Sequence, residues 1–200
     1  FLSHAGALEG AGRTEDDLAF MRDERDFLNV QLVELPNGDF GVTMARQLLF
    51  SSYQHELYSV LTSSADEQIA GIAGKAVKEV HYHREHAASW VIRLGDGTTE
   101  SHARMVAALR TVWPFAGELF EPLGRNGADG LVDAGIAADP ASLNEPWLRY
   151  VESVLAEATL EVPSTTWAPA GGRRGLHTEG FGHLLAEMQH LHRSHPGVTW

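Results

Sequence analysis

Apolar residues recur along this chain at steps of three and four almost throughout, which is the period of an amphipathic α-helix. Phe1–Leu8 reads as a helix already under way, stopped by Gly10-Ala11-Gly12. Thr14, followed by Glu15, Asp16 and Asp17, is a helix-start signal, because Thr caps and acids favour the first turn. That segment is expected to run through Phe20, Phe27 and Leu28 to the turn cluster Leu35-Pro36-Asn37-Gly38. A second helix is expected from near Thr43 to about Leu61, and a third from Asp66 to Leu94. The third is the most regular: Ile69, Ile72, Ala76, Val80, Ala87, Trp90 and Leu94 form one stripe. At 1.5 Å per residue such a helix is about 40 Å long.

Gly95-Asp96-Gly97 ends it. A fourth helix carries Met105, Leu109, Val112, Ala116 and Leu119 on one face, with Pro114 as a kink. Asp139-Pro140 has the cap-then-proline order of a helix start, continued by Trp147, Val151, Leu155 and Ala158. Pro163 to Gly175 reads as a loop, and a last helix covers Thr178 to His192 with Leu184, Met188 and Leu191 facing inward. No strand alternation is evident. Long antiparallel helices with short connections predict an all-α bundle in a single domain over residues 1–200.

Composition narrows the chemistry. The 200 residues hold 15 Lys+Arg and 27 Asp+Glu, a formal charge of −12, which argues against nucleic acid or an anionic membrane as partner. There is no cysteine, so disulfides, thiolate metal sites and a Cys nucleophile are excluded. No apolar run is long enough to span a bilayer. Eleven histidines make metal chemistry the first question.

A di-iron bundle places Glu-x-x-His on two helices and single carboxylates on two others. On the third helix the residue three before His83 is Val80, so a hydrocarbon stands where a carboxylate is needed. Glu79 lies beside the stripe, and His83 is expected to be buried and hydrogen-bonded. On the second helix Ser51 and Ser52 occupy positions where an inward carboxylate would serve; Glu56 is the only acid near that face and needs a partner such as His83 or an arginine if buried. His81, His83 and His86 do not share one face, nor do His190, His192 and His195, because residues two apart diverge on a helix. Glu187 and His190 match Glu-x-x-His formally but read as solvated. Gly171-Gly172-Arg173-Arg174-Gly175, just before a helix start, combines glycines, guanidinium groups and free N–H donors. Arg173 and Arg174 are therefore candidates to contact a phosphate or carboxylate, against the alternative of a solvated loop.

Several stretches taken together resemble a known family. They include Phe20-Met21-Arg22-Asp23-Glu24-Arg25, Val33-Glu34-Leu35-Pro36-Asn37-Gly38-Asp39-Phe40, Lys75-Ala76-Val77-Lys78-Glu79-Val80-His81-Tyr82-His83, Arg93-Leu94-Gly95-Asp96-Gly97, Trp113-Pro114-Phe115-Ala116-Gly117-Glu118-Leu119-Phe120, Gly175-Leu176-His177-Thr178-Glu179 and Leu185-Ala186-Glu187-Met188-Gln189. In order and content they resemble the PaaC-type subunits of the ring-1,2-phenylacetyl-CoA epoxidase, a multicomponent bacterial monooxygenase. The resemblance covers essentially the whole chain.

It implies a ferritin-like fold, N-terminal helices lying before Phe1, and a place in cytoplasmic phenylacetate catabolism. It also implies a non-catalytic, structural subunit, without cofactor of its own, that supports a catalytic A-type subunit in which the di-iron centre resides, with a reductase among the other components. Ser51 or Ser52, Val80 and His83 then stand at degenerate ligand positions, and phenylacetyl-CoA is a candidate ligand for Arg173 and Arg174. The alternative is a di-iron oxygenase subunit using Glu56, Glu79 and His83.

Overall fold

The computed structural model describes residues 1–122, 128–195 and 198. Among them are helices and turns but no strands, the all-α architecture of a ferritin-like bundle. Its centre is a hairpin of two long helices, α2 (Phe40–Leu61) and α3 (Glu67–Gly95), preceded by α1 (Leu2–Glu9). Each long helix begins on an aspartate cap. The Asp39 side chain accepts from Val42 N at 2.9 Å, and Asp66 accepts from Gln68 N at 2.8 Å and Ile69 N at 3.0 Å. Such caps satisfy N–H groups that the helix itself cannot.

Across the hairpin lie α4 (Thr99–Val112) and α6 (Asn144–Glu157), with the short α5 (Ala128–Asp133) between them in sequence. The periodicity of α5 is too brief to have marked it. The core they share includes Leu48 and Leu49 of α2, Val91 of α3, Met105 and Leu109 of α4, and Trp147 and Val151 of α6. The Trp147 indole N–H donates to Leu49 O at 2.9 Å, so the largest core side chain is both packed and satisfied. Helix α7 (Glu179–Ser194) stands apart from this core, resting on turns at Asp17–Met21 and Glu24–Asp26.

Two expected helices do not form as read. Between Thr14 and Leu35 the chain makes a one-turn π-helix (Asp17–Met21) and two 3-10 turns (Glu24–Asp26 and Gln31–Glu34). They are separated by extended backbone at Arg22, Phe27 and Val30. Side-chain and tertiary bonds win over local propensity here: Asp23 and Asp26 cap each other's turn, and Phe27 packs edge-on against Phe181 of α7 at 5.6 Å. The fourth helix is not kinked through Pro114. It ends at Val112, and the chain continues in 3-10 turns at Trp113–Phe115 and Gly117–Phe120, because proline removes a helical donor and its ring crowds the carbonyl of the preceding turn. This ending turns Glu118 into the interior, where it is 2% exposed.

Candidate functional site

The α2–α3 interface brings together the positions expected to be degenerate ligands. Val80 and both serines are buried. Ser51 Oγ donates to Gln47 O at 2.6 Å, within its own helix. Ser52 Oγ has no hydrogen-bond partner among the described residues. His83 is half-buried rather than buried, and its contact is with the Tyr82 ring at 6.3 Å. The hydrogen bond expected of it is absent among the described residues. It lines a shallow recess of about 250 Å³ with Met44, Gln47, Tyr82 and His86. Glu79 is exposed, as its place beside the stripe implies.

The partner of Glu56 is an arginine. Arg84 Nη1 lies 3.4 Å from Glu56 Oε1 and 2.9 Å from His55 Nδ1, and its guanidinium covers the Tyr150 ring at 4.1 Å. A guanidinium only donates, so a neutral His55 ring accepts from Arg84 at Nδ1, whereas a proton on that nitrogen would be shared with Glu56 Oε1, 3.2 Å away. Burial first, then the charge of Arg84, pushes the His55 pKa below the ordinary histidine value. The Tyr150 hydroxyl donates to Glu85 Oε1 at 3.0 Å; burial, reinforced by that bond, pushes its pKa up to about 12. The half-buried charge at this end of the hairpin is thus already matched by a cation.

No three of His, Asp and Glu gather as a metal-binding group among the described residues. Glu56, Glu79 and His83 are not brought together. A di-iron centre needs several converging carboxylates; here the inward positions carry hydroxyls and a valine, and the Glu56 carboxylate faces Arg84. The residues present do not fit that centre. His81, His86, His190 and His195 are exposed, and His192 stacks on Phe20 with ring centroids 4.0 Å apart.

Helix α7 corrects one expectation. Its buried face is Phe181, Leu185 and Gln189, whereas Leu184, Met188 and Leu191 are exposed. The helix leans on the Asp17–Asp26 turns instead of the bundle core, and this rotates the face that is covered. Glu187 and His190 are solvated as expected.

The glycine–arginine loop does bind an anion, and that anion belongs to the chain. Glu118 Oε1 accepts from Gly171 N at 2.9 Å and Gly172 N at 2.6 Å, while its Oε2 accepts from Gln31 N at 2.6 Å. Gly171 holds φ at 123° and Gly175 at 76°, values that favour glycine. A side chain at Gly172 would collide with the Asn29 carbonyl. Arg173 turns inward: Nη2 donates to Leu119 O at 3.0 Å and to the Tyr53 hydroxyl at 3.1 Å, and Nε to Glu118 O at 3.4 Å. Arg174 is exposed.

A second buried carboxylate lies at the start of α7. Glu34 Oε2 accepts from Thr178 N at 2.7 Å, and its Oε1 meets Asn29 Nδ2 at 2.7 Å and His177 Nδ1 at 2.6 Å. His177 Nε2 faces Phe27 O at 3.0 Å. Neither Glu34 nor Glu118 stands out in the hydrophobic periodicity. The available signal was a lone acid inside an apolar run, Leu32-Val33-Glu34-Leu35 and Ala116-Gly117-Glu118-Leu119-Phe120.

Comparison with known proteins agrees with the resemblance read from the motifs. The model of a family described as phenylacetic acid catabolic protein matches residues 1–200. The chain is 45% identical over 204 residues to the C-type subunit of 1,2-phenylacetyl-CoA epoxidase from Escherichia coli (strain K12). That alignment takes in 100% of this chain and 79% of the relative. This chain belongs to the phenylacetic acid catabolic protein family.

Proposed function

We propose that this chain is the C-type subunit of a phenylacetyl-CoA epoxidase, a structural partner of a catalytic subunit rather than an oxygenase itself. The observation that carries the reading is the 45% identity, over the whole chain, to a protein named as the C-type component of that enzyme. The bundle interior supports the structural half of the proposal. Ser51, Ser52 and Val80, which this reading takes as degenerate ligand positions, are buried, and the Glu56 carboxylate is engaged by Arg84. Placing two iron cations in an interior short of anions costs more than the available donors return.

In this reading the di-iron cofactor belongs to the catalytic A-type partner, and this subunit has none. Its partners are that subunit and the other epoxidase components, including the reductase, and its place is the cytoplasm. Among the described residues no helix is long and apolar enough to cross a membrane. Arg174, exposed within the loop, is the remaining candidate for contact with the anionic part of phenylacetyl-CoA or with an acidic strip on the partner.

The test is elemental analysis of the purified full-length protein together with reconstitution. The expected result is no stoichiometric iron and no turnover alone, with higher activity or solubility of the A-type subunit when the two are combined with reductase. Two irons per chain, with epoxidation in the absence of the A-type subunit, would overturn the proposal.

A further inference from the structure

The turn Leu35-Pro36-Asn37-Gly38, which leads into α2, carries chemistry that the proposed function does not use. Asn37 is exposed, and its side-chain oxygen accepts from Arg46 Nη2 at 2.6 Å. A guanidinium only donates, so Arg46 holds the amide by its oxygen and leaves its nitrogen free to depart. The next residue is fixed as glycine by the fold. Gly38 holds φ at 59°, and a Cβ there would meet Val42 at 3.0 Å. Without a side chain its backbone nitrogen is unhindered, and among the described residues that N–H donates to no acceptor. An open nucleophile thus directly follows an amide whose oxygen already has a cationic donor.

Arg46 supplies the second observation. Its guanidinium is half-buried and donates to two uncharged oxygens, Leu35 O and Asn37 Oδ1. Among the described residues no carboxylate forms an ion pair with it. Burial pushes its pKa below the ordinary arginine value. A partly desolvated cation is therefore held by dipoles alone, and a carboxylate at position 37 would meet its charge.

We propose that Asn37 is a self-modifying site, at which the Gly38 nitrogen closes on the side-chain amide and the resulting carboxylate pairs with Arg46. The Gly38 nitrogen gives its proton to hydroxide and bonds to Asn37 Cγ. The carbonyl electrons move onto Oδ1, where the Arg46 donor stabilises the charge. The oxyanion then collapses, the bond from Cγ to the amide nitrogen breaks, and that nitrogen takes a proton from water and leaves as ammonia. Water hydrolyses the five-membered imide that remains. Opening at Cγ leaves aspartate on a normal backbone, whereas opening at the main-chain carbonyl leaves isoaspartate. One water is consumed and one ammonia released, with no oxidant or reductant.

The two products act on α2 in opposite directions. Aspartate completes an ion pair with a residue of the second turn of the helix. Isoaspartate adds a methylene to the main chain between Pro36 and Gly38. It also turns the carbonyl that accepts from Thr43 Oγ1 at 2.9 Å into a side-chain carboxylate, which loosens the entry to α2.

The test is peptide mapping of the folded full-length protein, kept at mildly alkaline pH in a buffer without amines. The expected result is accumulation of both aspartate and isoaspartate at position 37. R46Q should slow this conversion at least about tenfold, and N37D should raise the melting temperature by about 2–4 °C. An Asn37 that stays intact in the folded chain while it converts in urea overturns the proposal, as does conversion at an unchanged rate in R46Q. If R46Q does not fold, N37D decides: a higher melting temperature supports the pairing with Arg46, and one at or below wild type sinks the proposal.

Discussion

Two buried regions of the molecule treat polar side chains in opposite ways. Beneath the loop at residues 171–178, Glu34 and Glu118 are sealed from solvent, and every carboxylate oxygen has a donor. In the α2–α3 interface the inward positions hold Ser51, Ser52 and Val80, and one hydroxyl there has no partner among the described residues. Buried carboxylates in this chain therefore fasten one segment to another. The glycine-rich loop ahead of a helix start, which reads as an anion receptor, has its receptor filled from within.

The sharpest way to break that contrast is Glu118→Ala. It leaves the N–H groups of Gln31, Gly171 and Gly172 buried without their acceptor. At about 1–3 kcal/mol for each unsatisfied buried group, the expected loss is at least about 3 kcal/mol, read by urea unfolding. Glu118→Gln should recover only part of it, since its amide nitrogen would confront an N–H with another donor. Full stability in Glu118→Ala would show that the loop is not anchored as described.

The opposite manoeuvre is Val80→Asp, which places a carboxylate where the hairpin has none waiting to pair with it. A loss of at least about 1–3 kcal/mol is expected, because an unpaired polar group is buried. An unchanged melting temperature in metal-free protein would mean that the position is wet. Recovery of stability on adding ferrous iron would show that the interior is closer to a metal site than its present side chains suggest.

How much of this was legible beforehand depended on the range of the forces involved. The hairpin followed from the Ile69–Leu94 stripe, a local signal, and the missing carboxylate at Val80 followed from the same stripe. The segment from Thr14 to Leu35 was not legible. Its backbone is set by bonds to partners far along the chain, as between Gln31 N and Glu118, 87 residues apart. The covered face of α7 was misread for a related reason: two apolar rows share that helix, and only tertiary placement decides which is buried. Arg173 had a nearby anion, but its contacts proved to be the backbone of Glu118 and Leu119 and the Tyr53 hydroxyl.

Ser52→Ala is a gentler probe of the hairpin interior. The Ser52 hydroxyl is buried with no partner among the described residues, so removing it discards a desolvated dipole and leaves little space behind. Stability should stay level or rise by up to about 1 kcal/mol. A loss above about 1 kcal/mol in thermal unfolding would show that the hydroxyl is satisfied in solution, and the two regions would then be less different than they look.

The smallest expected effect concerns pH, at the polar end of the same hairpin. His55 is held neutral, its pKa depressed by burial and then by Arg84; Glu56 and His81 are the other titratable groups facing it. In the unfolded chain the ring regains an ordinary pKa near 6.5, so as pH falls the unfolded state takes up this proton first. The unfolded chain then binds more protons than the folded one, which makes stability rise with pH across this window. The contribution of His55 is therefore fully present above about pH 6.5 and is lost as pH falls through that value towards the depressed folded pKa. Glu56 offsets part of it, since a proton on His55 would strengthen their contact. Melting temperatures of wild type and His55→Gln, compared from about pH 7.5 down to about pH 5, isolate this group from the other histidines. The wild type should lose more stability on acidification than the variant. Parallel curves would mean that His55 titrates alike folded and unfolded, and that the arginine beside it does not set its charge.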